Sequence, residues 1–398
     1  MIRHSFLAAT LGFALTACGQ PQNGSAPAEN LAAPASAKSI SPQISLTKIS
    51  DAEFPWGMAF LPSGDLVFTE KENGLKWLSA ACATGALDAS TEAACTPTPI
   101  TGLPPALTTG QAGYLGLTTD PAFAENNTLY IAYSKGAAKA NATVVLRATF
   151  NAAENTLEDV SEIFVADERA APAHFGSRLQ FADADTLFVS LGDAYVHMED
   201  AQTPINTHGT LIRIKSDGSI PTDNPFADGE GGHPAVWSYG HRNSQGLYFD
   251  AETNTLYATE HGPKGGDEFN MITKGANYGW PAITYGIDYS GAIISKHTEK
   301  EGMQQPLSYW VPSIAPSGLT RLTTNLYDGW KGDFLVGGMN GPEGLKLVRL
   351  DMEDGKVAAR EDLLTGEYSI RDVIEGPDGH VYLATKDLNG LFRLDVAE

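Results

Sequence analysis

Six copies of one pattern dominate the chain. In each copy an apolar strand leads through a turn with Asp, Gly or Asn into a second strand with aromatic or β-branched residues, and a Gly turn then leads into a third strand. The copies are Gly57–Ser79, Leu115–Phe150, Ser177–Gly218, Gln245–Pro281, Ser317–Leu350 and Ile370–Leu394. Short strands with alternating apolar residues, repeated at roughly even spacing, predict an all-β repeat protein.

Six copies of a four-stranded unit predict a six-bladed β-propeller with four antiparallel strands per blade. A pair of β-sandwich domains is the alternative, but the repeat unit is too long for it. Because no internal linker interrupts the pattern, we expect one domain over residues 41–398, and Ile44–Ser50 is the natural candidate for the strand that closes the ring. Ligands of such a ring bind at its axial channel, where the inner-strand ends and the loops converge.

The N-terminus has the features of a targeting signal. Arg3 precedes an apolar stretch, Phe6–Leu15, that is too short to span a bilayer as a stable anchor. The sequence Leu-Thr-Ala-Cys at 15–18 then resembles a bacterial lipobox, which predicts that residues 1–18 are a lipoprotein signal peptide and that Cys18 is lipidated. A plain signal peptide that is cleaved nearby is the alternative.

Residues 19–40 are rich in Ala, Pro, Ser, Gln and Asn and lack aromatic side chains, so we interpret them as a flexible tether. Gly19 gives no signal for retention at an inner membrane. We therefore expect the protein on the periplasmic side of the cell envelope, at the outer membrane, where the lipid is its only contact with the bilayer.

The two remaining cysteines, Cys82 and Cys95, are expected to form a disulfide in such an oxidising compartment. Two free thiols are the alternative. The formal net charge of −22 argues against a nucleic-acid partner, because a phosphate backbone requires a basic surface.

The segment Ala173–Leu179 carries the clearest candidate for chemistry. His174 stands just before a predicted inner strand, and Asp193 follows the next strand of the same blade. A hairpin brings residues at this spacing close together, so Asp193 can accept a hydrogen bond from one ring nitrogen of His174 and raise the basicity of the other. A general base oriented by a carboxylate is one interpretation, and a structural histidine packed under a loop is the other.

Two further segments place polar groups at the same mouth of the channel. Arg242 and Asn243 precede a strand, where Arg242 could stabilise an anion that develops during a reaction or simply pair with a surface acid. The Gly-Pro turn at Gly262 and Pro263 exposes backbone carbonyls, which are hard oxygen ligands suited to calcium. His261 has no partner at metal-ligand spacing, so we do not expect a transition metal there.

Seven stretches together resemble the soluble pyrroloquinoline quinone (PQQ)-dependent aldose sugar dehydrogenases. They appear in family order, cover nearly all of residues 45–398, and are specific as a set although each is weak alone. The stretches are GQAGYLGLTTDPAF, HFGSRLQF with LFVSLGD, SYGHRNSQGL, EHGPKGGDEFN, GANYGWP, VPSIAPSGL and IRDVIEGPDG.

The resemblance implies a role for each matching residue. It makes His174 the catalytic base, Asp193 the carboxylate that orients it, and Arg242 a contact of the quinone. The remaining positions that it implies are Asn243 facing the quinone carbonyls, Gln111 lining the sugar and cofactor site, Ser313 where a cofactor-contacting Thr is usual, Arg371 holding a cofactor carboxylate, and Gly262 and Pro263 as backbone ligands of calcium.

The chain departs from the family pattern at several positions. The family often has Arg-x-Arg-Asp where Ser369 begins the corresponding stretch, and a usual lysine falls near Asn340, for which Lys346 is a candidate substitute. An Asp beside the catalytic His of some members is Ala173 here. PQQ carries three carboxylates, so we expect a cofactor site with fewer cations than usual, in which Arg371 is the main one.

As the resemblance implies, His174 would take the proton of the anomeric hydroxyl of an aldose while the C1 hydride passes to PQQ, which gives a lactone; the electrons then pass to an unidentified acceptor. Two other functions stay open: a calcium-dependent lactonase and a non-catalytic propeller that binds a sugar or a protein. The preferred sugar and the oligomeric state do not follow from the sequence.

Overall fold

The computed structural model describes residues 41–85, 95–340 and 344–397. These residues form six sheets of four antiparallel strands, and the sheets are arranged in a ring. The predicted six-bladed β-propeller is therefore confirmed. Within the described ranges, no helix is both long and apolar enough to cross a bilayer.

The first three blades follow one another along the chain, each built as a meander that runs from the channel outwards. Blade 1 consists of β2 (Pro55–Phe60), β3 (Leu66–Glu70), β4 (Gly74–Leu78) and β5 (Thr98–Ile100); blade 2 of β6 (Tyr114–Thr119), β7 (Thr128–Ala137), β8 (Ala140–Asn151) and β9 (Thr156–Val165); blade 3 of β10 (Leu179–Phe181), β11 (Thr186–Leu191), β12 (Thr210–Lys215) and β13 (Val236–Tyr239).

Blades 4 and 5 repeat this order, and blade 6 completes the ring with a strand from the start of the domain. Blade 4 consists of β14 (Ser244–Asp250), β15 (Thr255–Glu260), β16 (Asp267–Ile272) and β17 (Ser308–Trp310); blade 5 of β18 (Pro316–Arg321), β19 (Phe334–Gly338), β20 (Lys346–Glu353) and β21 (Lys356–Leu363); blade 6 of β22 (Ile370–Glu375), β23 (Val381–Thr385), β24 (Gly390–Val396) and β1 (Ile44–Asp51).

The ring closes through β1, as the sequence predicted for Ile44–Ser50. This strand pairs antiparallel with β24, with Ile44 opposite Val396 and Leu46 opposite Leu394. The outer strand of the last blade thus comes from the beginning of the domain, which holds the first and last strands of the domain together and covers the outer edge of β24.

The core is divided into six layers, each of which lies between two neighbouring blades. Between blades 6 and 1, for example, Leu66 and Phe68 pack with Tyr382 and Leu391. Equivalent clusters of buried Leu, Ile, Val and aromatic side chains fill the other five junctions. Since each fully buried large apolar side chain contributes roughly 1.5–3 kcal/mol, these layers supply the main force that holds the blades together.

Glycines allow the inner strands to approach one another at the axis. A Cβ on Gly57 would lie 2.9 Å from the Leu115 carbonyl oxygen of the next blade, and a Cβ on Gly246 would lie 2.5 Å from the Ser317 oxygen. These contacts are with backbone, which cannot move aside cheaply. The glycine at this point of the repeat is therefore a packing requirement of the closed ring.

Short helices occur only in connections of the described chain: α1 (Ala80–Ala83), α2 (Phe123–Asn126) and a 3₁₀ helix, Asp200–Gln202. Cys82 lies in α1 and is bonded to Cys95, so the predicted disulfide is confirmed. The predicted signal peptide, Cys18 and tether lie outside the described residues.

Candidate active site

A buried histidine and carboxylate lie at one mouth of the channel, in blade 3. Nδ1 of His174 is 2.6 Å from Oδ1 of Asp193. Asp193 also accepts hydrogen bonds from the Tyr195 backbone N–H at 2.7 Å and from Nε1 of Trp280 at 2.8 Å. Because Asp193 holds Nδ1 of His174 as a donor, Nε2 is the nitrogen left with a lone pair.

The environment keeps this pair as a neutral imidazole beside a carboxylate. Burial lowers the pKa of His174 below its usual value, although the hydrogen bond to Asp193 partly offsets this and the charge of Arg242 adds to it. Burial alone would raise the pKa of Asp193, but the hydrogen bond from His174 and the charge of Arg242 hold it below its usual range. His174 is therefore in its basic form at neutral pH.

The backbone of His174 is held in an unusual conformation. Its φ is 48°, in the left-handed region that a residue with a β-carbon rarely adopts. Its N–H donates to Oε1 of Gln111 at 2.7 Å, and its carbonyl accepts from Nη1 of Arg169 at 2.9 Å. Local strain that the surroundings fix so tightly is typical of functional positions.

Arg242 and Asn243 lie between this pair and the loop that follows β15. Nη1 of Arg242 donates to the Gly262 carbonyl at 2.7 Å, and its backbone N–H donates to the carboxylate of Glu260. Oδ1 of Asn243 accepts from the Gly176 N–H at 3.1 Å, which ties it to the segment of the histidine. Both side chains are thus buried and fixed.

Next to the histidine lies a cavity of about 240 Å³. Of the predicted site residues, Gln111, Asn243 and Arg371 line it. The described lining consists of Phe54, Trp56, Lys71, Gly110, Gln111, Leu115, Phe175, Gly176, Asn243, Gln245, His261, Met339, Arg371 and Lys386. This set contains three cations and no carboxylate, in a chain whose net charge is −22.

A second cavity of about 230 Å³ adjoins the first and shares four of its lining residues. Gly262 and Ser313, both predicted from the sequence, line it, as do Asn340 and Ser369, the positions where the resemblance implied cations. The hydroxyl of Ser313 donates to Oδ2 of Asp267 at 2.7 Å, so Asp267 fixes its position.

Two further residues predicted for the site, Pro263 and Lys346, are absent from the described lining of both cavities. Pro263 is buried in the same loop as Gly262. Lys346 does not substitute for the family's lysine in the described lining of either cavity, because its ammonium pairs with Asp362 at 2.7 Å instead.

Arg371 is a strongly desolvated cation of the cavity. Burial and the nearby charge of Arg178 lower its pKa to about 9. The adjacent Asp372 does not neutralise it, because that carboxylate pairs with Arg178 at 2.7 Å. Nη1 of Arg371 donates to Oε1 of Gln245 at 2.8 Å, whereas its Nε is buried without a hydrogen-bond partner. A buried guanidinium with no carboxylate partner and one free N–H favours binding of an anionic ligand.

The sequence model of the Glucose / Sorbosone dehydrogenase family matches residues 52–393. The chain belongs to this family. The predicted kinship with the soluble sugar dehydrogenases is thereby confirmed, and with it the assignment to an oxidoreductase family.

Individual members of the Glucose / Sorbosone dehydrogenase family show the same relationship. Aldose sugar dehydrogenase YliI of Escherichia coli is 32% identical over 85% of this chain and 88% of its own length. Quinoprotein glucose dehydrogenase B of Acinetobacter calcoaceticus is 32% identical over 48% of this chain and 44% of its own length. The apo crystal structure of the soluble E. coli aldose sugar dehydrogenase superposes with a TM-score of 0.81, at 30% identity, over 89% of this chain and all of that one.

Arg371 is not alone in this cavity, because Lys71 and Lys386, which the sequence analysis did not single out, line it as well. Sequence reasoning missed them, although a signal exists. Each is the residue directly after the second strand of its blade, and so are His261 and Met339, which also line the cavity. An alignment of the six repeats on their second strands would have brought these four positions together.

Proposed function

We propose that the protein oxidises an aldose sugar at C1 to the lactone with PQQ as its cofactor. One observation carries the proposal: a cavity with three cations and no carboxylate among its described lining residues adjoins a buried histidine whose base form is stabilised. The positive cavity suits an anionic cofactor, and the adjacent base suits removal of a proton from a sugar hydroxyl.

The residues of the cavity fit PQQ. Its three carboxylates require cations, and three line the cavity: Arg371, Lys386 and Lys71, whose ammonium also pairs with the exposed Glu72 at 2.9 Å. Arg371 would gain a partner for its buried Nε, which has none in the described chain. When bound, PQQ would supply the acceptor for the C1 hydride. The relative described as a quinoprotein glucose dehydrogenase supports this choice of cofactor.

Calcium is part of the proposal only together with the cofactor. The carbonyls of Gly262 and Pro263 are suitable oxygen donors, but Ca²⁺ takes six to eight oxygen ligands. The Gly262 carbonyl also accepts a hydrogen bond from Arg242, and both protein donors are neutral. The remaining ligands, and the negative charge, would have to come from the cofactor and from water.

In the proposed reaction His174 is the general base. Its Nε2 would accept the proton of the C1 hydroxyl as the hydride leaves C1. Asp193 would stabilise the imidazolium that forms, because the hydrogen bond at 2.6 Å already holds Nδ1–H. The guanidinium of Arg242, fixed against the Gly262 carbonyl, would stabilise negative charge that develops beside it.

The decisive experiment is reconstitution of the chain with PQQ and calcium, followed by aldose oxidation with an artificial dye as electron acceptor. We expect a quinone absorption spectrum, dye reduction and a lactone product. His174→Ala should lower turnover at least about a hundredfold while PQQ still binds, since a general base contributes that much. A lactonase or a binding propeller would give neither the spectrum nor the oxidation.

We also propose that the dehydrogenase is anchored by lipid at Cys18, on the periplasmic side of the outer membrane. The support is the lipobox-like sequence at 15–18 and the tether-like composition of residues 19–40. Cys18→Ala should release the protein from membranes with unchanged folding. Recovery of wild-type protein entirely in the soluble fraction, with a free mature N-terminus, would argue against the anchor.

A further inference from the structure

Two histidines and one aspartate meet in the connection between Asp193 and β12. One ring nitrogen each of His197 and His208 and one carboxylate oxygen of Asp200 lie within 4.8 Å of one another. None of the three residues is in the described lining of the two cavities. We call them the His197–Asp200–His208 cluster; the proposed reaction assigns it no role.

The hydrogen bonding of His208 determines its tautomer. Its Nε2 is 3.2 Å from the Glu168 carbonyl oxygen, and since a carbonyl can only accept, Nε2 carries the proton. In the neutral ring, Nδ1 therefore presents a lone pair. This nitrogen is buried, makes no hydrogen bond, and lies 3.4 Å from Oδ2 of Asp200. A lone pair and a carboxylate oxygen that face each other in this way are suitable ligands for a cation between them.

The spacing fits a metal ion. Two ligand atoms bonded at about 2.0–2.1 Å to a tetrahedral Zn²⁺ lie about 3.4 Å apart, which is the separation of His208 Nδ1 from Asp200 Oδ2. A backbone carbonyl on the far nitrogen, as Glu168 provides for His208, is the usual support of a metal-binding histidine. His208 is 6% exposed, so its ring is held by its surroundings. Nδ1 of His208 and Oδ2 of Asp200 therefore already lie at the separation of two ligands of one ion.

His197 would complete the site after a rotation of its ring. Its Nδ1 lies 2.8 Å from the same Asp200 oxygen, and its Nε2 is buried without a hydrogen-bond partner. The rings of His197 and His208 stack at 4.2 Å and 16°, so an ion in the plane of one is outside the plane of the other. The side chain of His197 is 27% exposed and that of Asp200 48%, which leaves room for the rotation and for a water ligand.

We propose that the His197–Asp200–His208 cluster binds one divalent transition-metal ion of the Zn²⁺ class through two imidazoles and one carboxylate. Imidazole nitrogen suits Zn²⁺, Cu²⁺ and Ni²⁺, whereas Ca²⁺ and Mg²⁺ take oxygen ligands. The site is therefore chemically distinct from the calcium position proposed at Gly262 and Pro263.

The bound ion would brace the segment that supports the catalytic pair. The backbone N–H of His197 donates to the Asp193 carbonyl at 2.9 Å. Two residues before His197, the ring of Tyr195 packs edge-on against His174, with 5.3 Å between the centroids. Metal binding thus holds the connection in the conformation that positions Tyr195 and Asp193.

The test is a titration of metal-stripped full-length chain, purified without a histidine tag, with Zn²⁺ in the absence of PQQ and calcium. We expect one Zn²⁺ per chain, and Co²⁺ in its place should give the visible absorption of a low-coordinate nitrogen and oxygen site. His197→Ala, Asp200→Asn and His208→Gln should each weaken Zn²⁺ at least about a hundredfold, since loss of an outer-sphere partner alone costs 10- to 100-fold.

His297→Ala is the matched control, because this exposed histidine lies outside the cluster. It should bind Zn²⁺ as the wild type does. Wild-type binding no tighter than that of His208→Gln would overturn the proposal and leave a proton as the cation between His208 and Asp200. Unchanged affinity in folded His197→Ala and Asp200→Asn would overturn it as well. Since the readout is metal binding, failure of the proposed sugar oxidation would not affect either outcome.

Discussion

Removal of Arg371 tests the cofactor site most directly. The guanidinium is buried, donates to Gln245 at 2.8 Å and lies over the ring of Trp56 at 5.4 Å, with no carboxylate of the described chain at ion-pair distance. A charge-assisted contact to a carboxylate of PQQ would contribute about 1.5–3 kcal/mol. Because about 1.4 kcal/mol corresponds to a tenfold change, Arg371→Ala should weaken PQQ by one to two decades.

Binding should weaken rather than vanish, because Lys71 and Lys386 remain. Lys386 is exposed, so Lys386→Ala should cost less than about 1 kcal/mol, or under about fivefold in affinity. Ser369→Arg would add a cation to the second cavity and should tighten PQQ. The assay is a calorimetric titration of PQQ into apo protein at fixed calcium concentration.

Lys346→Ala is the control for general charge effects. It removes one positive charge from a chain of net charge −22, but its ammonium pairs with Asp362 outside the described cavity lining. We expect wild-type affinity for PQQ. Equal losses of PQQ affinity in Lys346→Ala and Arg371→Ala would show that only the net charge of the protein affects binding. Wild-type affinity in folded Arg371→Ala would refute the proposed contact between Arg371 and a carboxylate of PQQ.

Three further predictions concern pH, the disulfide and the axis. Since burial lowers the pKa of His174, its base form persists as the pH falls, and the acid limb of kcat/KM should lie below the ordinary histidine value of about 6.5. Asp193→Asn removes an interaction that raises the pKa of His174, so the acid limb should move to still lower pH and the maximal kcat/KM should fall. A shift of the limb to higher pH would contradict the assignment of His174 as the general base. Replacing Cys82 and Cys95 by Ala should lower the free energy of unfolding by about 3 kcal/mol in denaturant titrations, and an unchanged midpoint would contradict a closed loop. Gly246→Ala should cost about 1–3 kcal/mol, since its Cβ would lie 2.5 Å from the Ser317 oxygen, and full stability would show that the inner strands can separate.

The repeat pattern predicted the propeller because strand and turn signals are local. Alternation of apolar residues specifies each strand, and six copies specify the number of blades. The His174–Asp193 contact was also predictable, since the two residues flank one hairpin, β10 and β11, and a hairpin has a fixed geometry. Even the closing strand, β1, followed from an unassigned apolar stretch before the first copy.

The tertiary structure decided which charged groups meet at the cavity and which of them are paired. Lys71 and Lys386 come from opposite ends of the chain, yet both lie over the ring of Phe54, at 5.4 and 5.1 Å. They meet because β1 pairs with β24 and brings blade 6 beside blade 1. Arg371 stays unpaired because Arg178, from blade 3, reaches across the channel to Asp372. Adjacency in the sequence does not pair Arg371 with Asp372; closure of the ring, which sets distances between residues far apart in the chain, places that carboxylate beside Arg178 instead.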